Sequence, residues 1–261
     1  MREREISSMA SEQDCYILLD IDGVLLPIRS VDEASAAAPA EQGLGGRDPL
    51  FAFPDRCLAA LSRIISSVEE SSEIRRRCHI CLSSTWRATV DARQHILDEF
   101  HQYAERHPES PLGEIRGFDL TTSLNNFSVR QWEIMEWVQQ EQHRRRRRRR
   151  QVSEVASDES IPNTSMVGKR AHWSMRAADN DSCSFSWVVL DDDDSCVNDK
   201  RFKDLCAPHT VLTDSRLGLT DKDADLAIAV LLSDVDASSR GAQQQAPDEK
   251  KKKMKKKSKR R

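Results

Sequence analysis

Asp20–Ile21–Asp22–Gly23 sets two carboxylates two residues apart, directly after the short apolar run Tyr16–Leu19. In extended backbone, residues i and i+2 share a face, so both side chains point the same way. Neighbouring carboxylates repel, and one must take a proton unless a cation sits between them. A second acidic run, Asp191–Asp194, follows another apolar run at Trp187–Leu190 and offers further hard oxygen ligands. Mg2+ suits such a set, because it keeps several waters and typically takes one or two protein carboxylates directly. A carboxylate can also accept a phosphoryl group, dividing one hard transfer into two easier ones. Its neighbour can protonate the leaving oxygen and later deprotonate water. Phosphoryl transfer is helped mainly by position and charge, so a hydroxyl and a cation are wanted as well. Ser83, Ser84 and Thr85, which follow Ile80–Leu82, are available, and so is Arg130. Ser128 and Gln131 have capping-box spacing, which puts Arg130 in the first turn of a helix, where free amides favour an anion.

The elements that must position these groups are legible as periodic patterns. Tyr16–Leu19, Ile80–Leu82, Trp187–Leu190 and His209–Leu212 have the length of buried strands. Between them, Leu58, Leu61, Ile65 and Val68 fall at helical spacing. Val90, Leu97, Phe100 and Ala104 do the same, closed by Pro108, and so do Ile134, Met135 and Val138. Thr220 with Asp223 caps a last helix through Leu226 and Val230. Pro27 to Phe53 reads as a long loop. Short strands alternating with helices predict an α/β fold, a parallel sheet with helices on both faces. Such sheets bind ligands at the carboxyl ends of their strands. Three of the predicted strands end in oxygen-bearing clusters, and that coincidence is the strongest functional signal in the chain.

Those residues carry a resemblance. Tyr16 to Leu25 resembles the first motif of the haloacid dehalogenase-like (HAD) phosphohydrolase superfamily, and Leu82 to Thr85 resembles its second. Arg130 stands where the third motif places Lys or Arg, and Val188 to Asp192 resembles the fourth. Ser84–Thr85–Trp86–Arg87 and Leu212 to Thr220 look most like the small HAD domains of predicted RNA-repair proteins. The resemblance spans roughly residues 14 to 142 and 183 to 233. It implies a HAD-like Rossmannoid three-layer sandwich and a Mg2+-dependent phosphatase. Asp20 would be the nucleophile and Asp22 the general acid/base. Mg2+ would be held by the Asp20 carboxylate, the Asp22 backbone carbonyl and Asp192, with Asp191 in support. Strand register favours Ser83 as the second-motif hydroxyl, and register from Trp86 favours Ser84. The stretches after the first two motifs leave room for only a minimal cap, and an open site suits a bulky phosphorylated substrate such as a nucleic-acid end.

Charge divides the chain sharply. Arg144 to Arg150 is an unbroken run of seven, and Lys250 to Arg261 holds ten more cations. Without those 17, the remaining 23 Lys and Arg face 43 Asp and Glu, a balance near −20. An acidic body thus carries two basic segments, the pattern of interaction tails. An apolar share of 38% agrees with part of the chain lying outside a core. The predicted organisation is a disordered N-terminus (1–13), a HAD-like domain (14–234) with a disordered insertion at about 143–182, and a polybasic tail (235–261). Arg144, Arg147 and Arg150 are candidate nucleic-acid contacts, and the tail can also be read as a nuclear localisation signal. Seven irregularly spaced cysteines suggest no disulfide framework, and Cys78–His79–Ile80–Cys81 reads as strand rather than zinc site. The polar N-terminus and the lack of a long apolar run predict a soluble intracellular protein, nuclear or cytoplasmic. A calcium loop is disfavoured, since Val24 and Val31 stand where an EF-hand needs ligands. The alternative to an enzyme is a catalytically idle HAD-like interaction module, which would have no need of Asp22.

Overall fold

A computed structural model describes residues 12–28, 51–71, 75–121, 130–156 and 185–240. Five parallel strands form its sheet in the order β3-β2-β1-β4-β5. They are β1 (Gln13–Leu19), β2 (Arg76–Leu82), β3 (Asp119–Leu120), β4 (Ser186–Asp191) and β5 (Thr210–Leu212). The helices are α1 (Asp55–Glu69), α2 (Val90–Arg106), α3 (Arg130–Ala156), α4 (Ser195–Asn198), α5 (Lys203–Cys206) and α6 (Asp221–Arg240).

Side chains alternate across a strand, and β1 uses both sides. Cys15, Ile17 and Leu19 pack with α1, α2 and α6, while Tyr16 and Leu18 pack with α3, α4 and α5. The central strands are buried on both faces, which explains why they read as short continuous apolar runs. The predicted three-layer α/β sandwich is the observed fold. Cys78 and Cys81 lie in β2 and enter opposite core layers, so they cannot share a metal ion. Between β1 and β2 and between β2 and α3, the described helices build the sandwich itself rather than a separate cap.

Several boundaries and registers differ from the sequence reading. α3 runs on through His143 to Ala156, so the first part of the predicted insertion is helical. Arginine is a good helix former, and no Gly or Pro interrupts the stretch. α6 likewise continues past Asp234 to Arg240, into the segment read as tail. The buried side of α2 is Ile96, Glu99, Phe100 and Tyr103, with Val90 exposed at its start. On α6, Ala224, Ala227 and Leu231 are buried and Leu226 faces outward. β3 has two exposed residues and no sequence signature. Gln13, read as the end of a disordered N-terminus, instead begins β1. Most of the long loop, Ser128 of the capping box, the rest of the insertion, residues 1–11 and the Lys250–Arg261 tail lie outside the described residues. Among the described residues, no helix is long and apolar enough to cross a membrane.

Candidate active site

The strands deliver their last residues to one edge. Asp20 N–H donates to Leu190 O at 3.0 Å, Ser83 N–H to Leu19 O at 3.0 Å, and Thr213 N–H to Asp191 O at 2.9 Å. This lateral pairing continues the sheet register one residue beyond the strands and sets Asp20 between Ser83 and Asp191. Asp20 is almost fully buried, and its Oδ1 accepts from Ile21 N–H at 2.8 Å.

Past Asp20 the chain turns back on itself through Gly23 and Leu26, with Gly23 N–H donating to Leu26 O at 2.8 Å. Gly23 has φ of 72°, a left-handed conformation that costs other residues. A Cβ there would lie 2.2 Å from Asp192 Oδ2, so the turn and the second acidic strand end approach as closely as glycine allows. Asp22 is not among the three carboxylates that converge here. Trp86 Nε1–H donates to both Asp22 carboxylate oxygens, at 3.2 Å each. Burial raises the Asp22 pKa above its ordinary value and the Asp20 charge adds to this, against the pull of the indole and Arg130.

Asp20, Asp191 and Asp192 each offer an oxygen within 4.8 Å of the others. Burial pushes Asp191 up to about 6, with Asp20 adding to the rise and Arg130 opposing it. Asp192 is also raised, first by burial and then by Asp20. Arg130 partly offsets this crowding: one Nη1 donates to Asp20 Oδ2 and, at 2.7 Å, to Asp191 Oδ1. Burial works to lower the Arg130 pKa, but the carboxylates outweigh it and hold the group above its ordinary value. Asp193 and Asp194 do not join the cluster. They bond Ser195 N–H and the Asn198 side chain, securing the start of α4.

The two candidate hydroxyls behave differently. Ser84 Oγ accepts from Trp86 N–H at 3.4 Å and caps the short 3-10 turn Thr85–Ala88. Ser83 Oγ is buried without a hydrogen-bond partner. Arg87 locks this segment, donating from Nη1 to Ser83 O and Ser84 O at 2.7 Å and from Nη2 to buried Glu133 on α3. Since Glu133 lies one turn after Arg130, the hydroxyl segment and the cation-bearing helix are joined by a buried ion pair. Trp86, Arg87 and Glu133 were missed as functional residues. Their only sequence trace is the Trp-Arg pair after the hydroxyls, and nothing in the spacing links it to α3.

Asp20, Asp22, Ser83 to Arg87, Arg130 and Glu133 fall within a family match, and Asp191 and Asp192 lie beyond its end. A model of the HAD domain in Swiss Army Knife RNA repair proteins fits residues 16–148, more than half of the chain. The chain belongs to this HAD family. No curated protein and no solved structure matches it. A HAD-type hydrolase is the general class this membership supports, and HAD domains generally use Mg2+. The present residues fit that ion: three hard carboxylates converge, and Asp191 Oδ2 is buried with no hydrogen-bond partner.

Arg144 and Arg147 do not border this HAD site. α3 starts at the carboxyl edge of the sheet and runs down to its opposite edge, where Arg145 pairs with Asp14 near the start of β1. The Arg150 side chain lies outside the described residues.

Proposed function

We propose that the protein is a Mg2+-dependent phosphatase that hydrolyses phosphomonoesters on bulky substrates, nucleic-acid ends first among them. One observation carries the reading. Asp20 is fixed at the carboxyl edge among Asp191, Asp192 and Arg130, while Asp22, two residues on, is held by Trp86 and raised in pKa by burial. A nucleophile and a proton carrier need such contrasting environments.

In the first step an Asp20 carboxylate oxygen attacks phosphorus and the bond from phosphorus to the leaving oxygen breaks. Asp22, protonated, gives its proton to that oxygen, and an aspartyl-phosphate remains on Asp20. In the second step Asp22 takes a proton from water as the water oxygen attacks phosphorus, the Asp20–phosphorus bond breaks and inorganic phosphate leaves. Ser83, with its unpartnered hydroxyl, is the better candidate to donate to a phosphoryl oxygen, since Ser84 already caps the 3-10 turn. Arg130 supplies positive charge at the same place. Asp20, Asp191 and Asp192 would hold Mg2+, with the Asp22 backbone carbonyl as a further ligand, and the ion would neutralise charge on the phosphoryl group. The description of the family as RNA repair proteins supports a nucleic-acid substrate.

A second reading, an idle HAD-like binding module, is favoured by the Arg130 bridge, which neutralises Asp20 and Asp191 without a metal ion. Phosphate release from an aryl phosphate and from a 3′- or 5′-phosphorylated oligonucleotide, with and without Mg2+, separates the two. The enzyme reading expects Mg2+-dependent release from both, abolished in Asp20→Asn. No release from either in folded wild-type protein would leave the binding module.

A further inference from the structure

The seven consecutive arginines of α3 are not equivalent. Arg145 is turned inward: it pairs with Asp14, with Glu141 Oε1 at 2.9 Å and with the Tyr16 hydroxyl at 3.1 Å. Its guanidinium also lies 5.5 Å and 5.0 Å from the Tyr16 and Phe185 ring centroids. This residue anchors the lower half of α3 to the sheet, and its charge is consumed there.

Arg144, Arg147 and Arg148 turn the other way. With Gln140, His143 and Gln151 they line an open concavity of about 620 Å3. The spacing of these six residues, alternately three and one apart, defines one face of a helix. Arg144 shares its charge with Glu141 at 2.7 Å, whereas Arg147 and Arg148 are exposed and form no ion pair among the described residues. The face is therefore cationic despite an acidic body. It is also remote from the catalytic edge. The length of β1 from Asp14 to Asp20 is about 20 Å, and α3 from Arg130 to Arg147 spans about 26 Å.

The geometry points to a nucleic-acid-binding exosite on this face, one that holds the phosphate backbone of a single strand without reading its sequence. Guanidinium forks match phosphate oxygens in a way that other side chains do not. The neutral lining groups, two glutamines and a histidine, can donate to phosphate or sugar oxygens. Among the described residues no apolar or aromatic side chain lines the concavity, so they offer no anchor of the kind a peptide partner would need. Binding far from Asp20 would raise affinity for long strands by tethering, while short ones could not reach both places. The proposal extends the nucleic-acid part of the proposed function but is independent of turnover, because binding can be read without catalysis.

Arg146 and Arg147 provide the test, since both are exposed but only Arg147 lines the concavity. Anisotropy of a labelled RNA of about 20 nucleotides without terminal phosphates, longer than a typical single-strand site, would be followed with the full chain. Salt would be varied between about 50 and 200 mM for wild type, Arg147→Gln and Arg146→Gln. Arg147→Gln should weaken binding several-fold and reduce the log–log salt slope by about 0.7, the share of one phosphate contact on a single strand. Arg146→Gln should change binding less than twofold, with both variants melting as wild type does. Equal weakening by the two would reduce the effect to bulk charge and overturn the exosite, as would unchanged binding in Arg147→Gln. Competition by poly-glutamate as effective as that by RNA, at equal charge, would overturn it in favour of an acidic protein partner.

Discussion

The Trp86 indole and the Asp22 carboxylate meet symmetrically, one N–H donating to two oxygens at 3.2 Å each. The contact gives the second carboxylate a partner that Asp20, Asp191 and Asp192 do not share, which suits it to the proton-moving role proposed for it. Trp86 itself leans on Phe51, Phe53 and His95, with ring centroids 5.7 to 6.2 Å away. Its orientation is thus fixed by packing outside the sheet.

Trp86→Phe should keep the packing and remove the donor. General acid–base catalysis is worth about 100-fold or more, and a carboxylate that can swing away loses part of it. Turnover of an aryl phosphate should fall about tenfold or more with KM little changed. Steady-state kinetics checks this, and a rise in KM alone would make Trp86 a substrate contact instead.

Arg87→Ala should be strongly destabilising. It leaves Glu133 buried without its partner and frees the Ser83 and Ser84 carbonyls, a loss of about 3–5 kcal/mol for a broken buried pair. Adding Glu133→Gln should recover part of that loss, because the uncompensated charge is gone. Denaturant unfolding of the single and double variants measures the coupling, and additive effects would show that the two residues act separately.

The legible part of the site was the part written in strand ends. Asp20, Asp191 and the hydroxyls follow apolar runs directly, so one-dimensional order fixes their place on the sheet edge. Trp86–Asp22 and Arg87–Glu133 are contacts between residues 64 and 46 positions apart, and no local pattern records them. The faces of α1 and α3 are those the sequence predicts, but that of α6 failed for a different reason. On α6 the layer facing the sheet is built on small residues, Ala224 and Ala227, while the larger Leu226 points out, so reading the bulkiest apolar residues rotated the helix. The end of α3 was missed because a polyarginine run has no apolar periodicity, and Arg145, half-buried, docks through charge and ring faces.

Stability should depend on Mg2+ in a pH-dependent way. Burial raises Asp191 to about 6 in the folded protein, above its ordinary value of 3.8. Between those values the folded state binds more protons than the unfolded one, so metal-free stability falls as pH rises through that window and then levels off. Mg2+ requires the ionised form and relieves the repulsion, so its gain in melting temperature should be small at pH 5 and larger at pH 7.5. Thermal melts at both pH values test this, and Asp192→Ala should diminish the gain. An Mg2+ effect that is equal at the two pH values, or absent, would contradict the assignment of Asp191 to the metal set.

Gly23→Ala should disturb the same centre without touching a carboxylate. The new Cβ would meet Asp192 Oδ2 at 2.2 Å in a backbone conformation that L-residues resist. A loss of about 1–3 kcal/mol in stability is expected from the strain, together with weaker Mg2+ dependence as Asp192 is displaced. Calorimetric melts with and without the ion measure both effects, and a variant that retains wild-type values would mean that the turn and Asp192 are loosely joined.

The central claim is that Asp20 is phosphorylated. The most direct measurement uses Asp22→Asn, which retains the nucleophile but cannot activate water, mixed with an activated aryl phosphate and Mg2+, quenched in acid and mapped by mass spectrometry. The account predicts a phosphoryl group on the peptide containing Asp20, at that residue, and none in the Asp20→Asn/Asp22→Asn double variant. Phosphate released by wild-type protein with no label on Asp20 in any variant would contradict it.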